Sequence, residues 1–224
     1  MPDVTDKKTF DRDSISNTLI ISISLSLVCS ILVASAAVVL KPIQLKNAEE
    51  YRQRIILEVA GLMQPDGDIA ELFATIQPDK VEIASGESVE IYLEKDGGAV
   101  RQIILPISGP GLWSTMRGYL AVAPDGNTVK GIRFFEHAET PGLGDQIDKE
   151  DWRALWVGRT IYDESNSPRI EVVRGFVLRD GSNPDAAHQI DGLSGATLTG
   201  NGVTKLVQHW MGPEGFGPYL ETYK

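Results

Sequence analysis

The stretch TLIISISLSLVCSILVASAAVVL, Thr18 to Leu40, carries no charged residue over 23 positions. At about 1.5 Å per residue, a helix of this length spans a hydrocarbon core of about 30 Å. Five serines dilute its apolar character, but a helical serine can bond back to a carbonyl of the preceding turn. Cys29 lies mid-segment and reads as a packing residue facing lipid or another helix. Two readings are open, a retained membrane anchor and a cleaved signal peptide with Ala34-Ser35-Ala36 as the site. The anchor is preferred, because AVVL continues the apolar run past that site and Asp3, Asp6, Asp11 and Asp13 interrupt the basic leader. Charge does not settle orientation: Lys7, Lys8 and Arg12 lie on one side, Lys41, Lys46, Arg52 and Arg54 on the other.

The segment divides the chain. Residues 1–16 read as a short tail and 17–40 as the transmembrane helix, ended by Pro42. Residues 41–64 read as a connecting amphipathic helix, with Ala48, Tyr51, Ile55, Ile56, Val59 and Leu62 at helical spacing. QPDGD breaks it, and residues 65–224 form one domain. In that domain SVEIYLE alternates apolar and mostly polar positions, and AVRQIILPI, GYLAVAP and TVKGIRFFEH follow as strands. Turns are expected at Lys95-Asp96-Gly97-Gly98 and Pro124-Asp125-Gly126-Asn127. A short helix over 148–157, a strand RIEVVRGFVL and a final helix VTKLVQHWM complete a compact α+β domain.

Composition excludes several functions. A net charge of −10 argues against a nucleic-acid binder, which would need a basic face. Cys29 is the single cysteine, so intrachain disulfides and four-cysteine zinc or iron–sulfur sites are ruled out. His137, His188 and His209 are scattered, and no metal site is expected from them.

Three glycine-rich segments remain: GPGLWSTMRG (109–118), EHAETPGLGD (136–145) and DGLSGATLTGNGV (191–203). The last precedes a helix, whose N-terminus offers unpaired N–H groups to an anion such as phosphate, with Ser194, Thr197 and Thr199 adding hydroxyls. The bland alternative is a turn capped by Thr199 or Asn201, with glycines supplying positive φ. In the middle segment, His137 and Glu139 are acid–base candidates without a nearby nucleophile, and the alternative is a turn with His137 on the surface. Trp113 reads as core or lid.

Taken together, DGLSGAT and ETPGLG resemble the signatures of the FMN-binding domain family. That resemblance implies an antiparallel sheet with packed helices. It also implies FMN held by a phosphoester on Thr197, installed by a flavin transferase with FAD as donor. Asp191, Ser194, Gly195 and Ala196 belong to the same signature, and Gly195 and Gly200 would leave room for the ribityl chain. Thr199 could donate to a phosphate oxygen, and Arg174 could sit near the flavin or its phosphate. Glu139, Thr140, Gly142 and Leu143 would flank the isoalloxazine, with Trp113 beside it. Ala138 stands where the family more often has glycine, which is tolerated unless φ is positive there.

The anchor, QRIILEVAGL, GLWSTMRGYLAV, VVRG and the tail GPEGFGPYL extend the resemblance to the membrane subunits of sodium-translocating NADH:quinone oxidoreductases. The G subunits of Rnf-type ferredoxin:NAD complexes share the anchor and signature and are the alternative, as is a stand-alone membrane flavin carrier. The resemblance implies electron relay among other membrane subunits of one redox complex. It places the domain on the periplasmic side of a bacterial inner membrane. No residue would act as nucleophile or base in turnover.

Overall fold

The computed structural model describes residues 14–64 and 67–224. The charged leader and Pro65-Asp66 of the QPDGD break lie outside the described residues. The chain divides into two units, Met1–Glu49 and Glu50–Lys224.

The first helix, α1, spans Ile15–Val59 without interruption, so the stop expected at Pro42 does not occur. Pro42 lacks the N–H that would bond Val38, but losing one bond kinks a helix more readily than it ends one. The first glycine after it is Gly61, and the helix ends there. Gly61 takes φ +69°, its N–H bonds Glu58 O at 3.1 Å, and Leu62 N–H bonds Leu57 O at 2.9 Å. These are the paired bonds of a Schellman ending. Residues 15–45 of α1 expose Leu, Ile and Val throughout, and this part is long and apolar enough to cross a membrane.

The second unit is built on an antiparallel meander of five strands in sequence order: β1 (Ile76–Glu82), β2 (Ser88–Asp96), β3 (Ala99–Pro110), β4 (Thr115–Val122) and β5 (Val129–Glu136). The β2–β3 hairpin turns on Gly97 and Gly98, at φ +58° and +88°, as a two-residue turn of primed type requires. Both faces of the sheet are covered. On one, Tyr92, Ile104, Tyr119 and Ala121 pack against Ile55, Ile56, Leu57 and Val59 from the end of α1. Burying each such aliphatic side chain contributes about 1.5–3 kcal/mol. On the other, Ile91, Leu93, Ile103, Leu105, Leu120 and Phe134 meet the buried face of α4 (Thr197–Met211). That face presents Val203, Leu206, Val207 and Met211 at helical spacing.

Three elements depart from the sequence reading. β1 carries Pro78 and mostly exposed polar residues, a pattern suited to a sheet edge, where no further strand needs the missing N–H. The expected strand RIEVVRGFVL is a strand only at β6 (Glu171–Val172), paired in parallel with β7 (Gln189–Ile190). Beyond it Gly175, at φ +79°, turns the chain, and Phe176 and Leu178 are left exposed. Finally, α4 begins at Thr197, six residues earlier than expected, so half of the glycine signature is helical. Its Gly200 and Gly202 allow close approach: a Cβ at Gly200 would lie 3.1 Å from Val172 Cγ1, and one at Gly202 3.3 Å from Pro110 O.

Shorter helices complete the unit: α2 (Ile69–Phe73), α3 (Glu150–Ala154) and α5 (Gly217–Glu221). The tail is anchored by Phe216, which is buried and stacks on Trp210 with ring centroids 5.2 Å apart.

Candidate functional site

The three glycine-rich segments meet at one buried carboxylate. Glu139 is 4% exposed and no cation pairs with it among the described residues. Its Oε1 accepts from Leu112 N–H at 2.8 Å, and its Oε2 accepts from the Thr199 hydroxyl at 2.5 Å. The shorter distance suits a hydroxyl donating to a charged oxygen. Leu112 belongs to the β3–β4 loop and Thr199 to the first turn of α4, so Glu139 ties these two walls together. Two glycines make room for it. A Cβ at Gly111 would collide with Glu139 Oε1, and one at Gly144 would sit 2.7 Å from Thr199 Oγ1 and 2.9 Å from Glu139 Cβ.

This geometry corrects the role expected of Thr199. It is 1% exposed and borders the first of the clefts described below, but its hydroxyl is committed to Glu139 and it does not cap the helix. Glu139 likewise spends both oxygens on the protein. His137 is neither a surface residue nor a free base. Its Nδ1 accepts from Glu139 N–H at 3.2 Å, which places the ring proton on Nε2, 2.8 Å from Asp148 Oδ2.

Thr197 is the opposite case. It is exposed, it is the first residue of α4, and Ala196 before it supplies no side-chain cap. The first-turn N–H groups are therefore available to an anion. Clefts open on both sides of it. One, of about 280 Å³, is lined by Leu112, Thr140, Leu143, Gly144 and Leu198. The other, of about 190 Å³, is lined by Val172, Arg174, Gly175, Gly192, Ser194 and Asn201. Thr197 and Gly195 border both. Gly195 takes φ +72°, and a Cβ there would reach Leu143 Cδ2 at 2.9 Å.

Some of the remaining expected residues line these clefts and others do not. Leu112, Leu143 and Leu198 are exposed apolar side chains around the first cleft, and Trp113, 71% accessible, lies outside its lining. Trp113 is thus not a core residue; its Nε1–H donates to Thr140 Oγ1 at 3.1 Å. Gly142 turns the TPGLG loop at φ +77°. Arg174 borders the second cleft, exposed and without an ion-pair partner among the described residues. Ser194 is exposed and Ala196 buried. Asp191 stands back from the clefts: its Oδ1 accepts from Val177 N–H at 3.0 Å and pairs with Arg179 at 2.9 Å, bracing the 173–179 loop. Ala138 has no positive φ, so alanine costs nothing there, and its N–H bonds Ser114 Oγ at 2.8 Å.

Sequence reasoning missed Gln146. Its amide donates to Leu143 O at 2.7 Å and Ser194 O at 3.1 Å, joining two of the glycine segments. Nothing in its local pattern marks it.

A planar heteroaromatic with a phosphate arm fits this donor set, with apolar side chains around one cleft, an arginine at the other and an uncapped helix N-terminus between. Comparison with known proteins agrees. Residues 111–212 match the FMN-binding domain family. The chain is 40% identical to the C subunit of the Na+-translocating NADH-quinone reductase of Vibrio parahaemolyticus, over 94% of this chain and 95% of that one.

The chain belongs to the family of these C subunits.

Another member, from Neisseria meningitidis, is 38% identical over 97% of each chain. The crystal structure of NqrC from Shewanella oneidensis matches with a TM-score of 0.68 at 28% identity, covering 78% of this chain and 96% of that one. The corresponding protein from Parabacteroides distasonis, at 23% identity and TM-score 0.66, shares the fold. The fold of the family is therefore the one described above: a long apolar helix, then an antiparallel five-stranded sheet with packed helices.

Proposed function

We propose that this protein carries FMN covalently on Thr197 and relays electrons between other membrane subunits of a Na+-translocating NADH:quinone oxidoreductase. One observation carries the choice of attachment atom. Of the signature's two threonine hydroxyls, that of Thr199 is buried and bonded to Glu139, whereas Thr197 is exposed at an uncapped helix N-terminus between two clefts. A phosphate on Thr197 Oγ1 sits where the first-turn N–H groups and the helix dipole favour negative charge. Attachment by a flavin transferase forms the bond from Thr197 Oγ1 to the FMN phosphorus and breaks the bond from that phosphorus to AMP in FAD. The proton of the threonine hydroxyl is lost.

The bound flavin supplies one- and two-electron chemistry. The chain's own residues supply position: Leu143 and Trp113 as apolar contacts, Arg174 as a cation. A tether suits a relay, because a cofactor that never leaves keeps its orientation. The apolar half of α1 supports anchoring in a bacterial inner membrane, and family resemblance supports a periplasmic flavin domain.

The test is the intact mass of the full chain co-expressed with a flavin transferase. An added FMN moiety, absent in Thr197→Ala, supports the reading. An unmodified parent chain, or an adduct that persists in Thr197→Ala, overturns it. A C-terminal alkaline phosphatase fusion, active only in the periplasm, tests the orientation separately.

A further inference from the structure

Glu139 lies in the cofactor's loop, yet both its oxygens are used by the protein. A buried charge needs such bonds, and here they come from two segments far apart in sequence. Behind it the bonding continues. Glu139 N–H is held by His137 Nδ1, and His137 Nε2 by Asp148 Oδ2. Arg133 bonds Asp148 Oδ1 at 3.2 Å through Nη1 and Glu58 Oε2 at 3.2 Å through Nε. Glu58 stands in the last turn of α1, next to Val59, which is buried under the sheet. A bonded chain therefore runs from the end of α1, across β5, to the loop and helix that flank Thr197.

We propose that Glu139 and His137 are positioning residues for the attachment site. Glu139 holds the Leu112 wall and the first turn of α4 at the spacing that forms the first cleft. His137, oriented by Asp148, fixes the backbone from which Glu139 reaches. Neither needs to touch the cofactor. The inference rests on the Thr197 reading for its consequence, but the clamp itself exists without flavin. The glycines support this assignment. Gly111 and Gly144 belong to different motifs, yet a Cβ at either would press on Glu139, alongside Met116 and Ser114 O at Gly111 and Thr199 Oγ1 at Gly144. Two of the three segments thus place a glycine against Glu139.

Two arms test it on the full chain. The first uses the flavin-free Thr197→Ala background and measures amide hydrogen exchange. Leu112 N–H reports the Glu139 Oε1 bond, and Glu139 N–H reports the His137 bond. Glu139→Ala is expected to speed Leu112 exchange about tenfold or more, the scale of one hydrogen bond to a charged group. Glu139→Gln, which keeps an acceptor of the same length, is expected to fall between it and the parent. His137→Ala is expected to speed exchange at Glu139 and, less strongly, at Leu112. Should Glu139→Ala fail to fold, Thr199→Val takes its place, removing one donor at nearly constant volume.

The second arm uses Thr197-intact chains co-expressed with a flavin transferase and reads fluorescence anisotropy and the fine structure of the visible flavin band. Glu139→Ala and His137→Ala are expected to lower the anisotropy and blur the band, with recovery in Glu139→Gln. Unchanged Leu112 exchange in both alanine variants, or flavin signals identical to the parent, overturns the proposal. An unmodified parent mass overturns the Thr197 reading, while the exchange arm still decides the clamp.

Discussion

The first turn of α4 has an open side and a closed side, and two threonines two positions apart report them. Thr197 is exposed between two clefts; Thr199 is 1% exposed and bonded to Glu139. The residues have the same chemistry and nearly the same sequence surroundings. What separates them is rotation by about 200° around a helix axis, at about 100° per residue. One residue is left open to solvent and the other's hydroxyl is consumed by structure. With the proposed attachment at Thr197, the cofactor is thereby held on a rigid support, which a cofactor that must keep its orientation requires.

Substitutions sharpen or break that contrast. The largest effect is expected from Thr197→Ala, which should remove the FMN adduct completely while leaving thermal stability close to the parent; retention of the adduct would erase the distinction. Gly144→Ala comes next. Its new Cβ would press on Thr199 Oγ1 and Glu139 Cβ, which are locked, so overpacking of about 1–3 kcal/mol is expected. At this chain length that lowers Tm by about 2–4 °C per kcal/mol, read by calorimetry of the flavin-free chain. Thr199→Val should cost about 1–3 kcal/mol, because Glu139 Oε2 loses its donor in a buried place. It should leave some adduct on Thr197, visible by mass. Arg174→Ala is expected to leave folding unchanged and shift the flavin potential measurably in redox titration, since its guanidinium borders the second cleft unpaired. An unmoved potential removes Arg174 from the site. Ser194→Ala should leave the adduct intact and change stability by no more than about 0.5 kcal/mol, because its hydroxyl is exposed and outside the helix.

Much of the fold could be read in advance because its signals are local. The β2 strand follows from alternating apolar residues, β3 to β5 from apolar runs between turn signals, and the hairpin at Gly97-Gly98 from turn chemistry. Where the reading failed, a local rule met a non-local one. Pro42 looked like a stop, but α1 continues to the glycine that can make a Schellman ending. RIEVVRGFVL has strand composition, but Gly175 and Asp191 draw the chain into a loop: Gly192 N–H bonds Gly175 O at 2.7 Å and Val177 N–H bonds Asp191. α4 looked too glycine-rich to begin at Thr197. Its glycines are there for close packing on Val172 and Pro110, which no helix propensity scale records.

By itself the sequence determined an apolar segment long enough to cross a membrane, an α+β domain, and a hydroxyl-rich, glycine-rich segment leading into a helix. These follow from composition and periodicity, which act over a few residues. Only the tertiary structure decided which hydroxyl is open and which is buried. It also decided that Glu139, Asp191 and His137 support the site through other residues. The reason is that burial and hydrogen-bond partners are set by segments 27 and 60 residues apart, as between Glu139 and its two donors. No window of sequence contains both ends of such a bond.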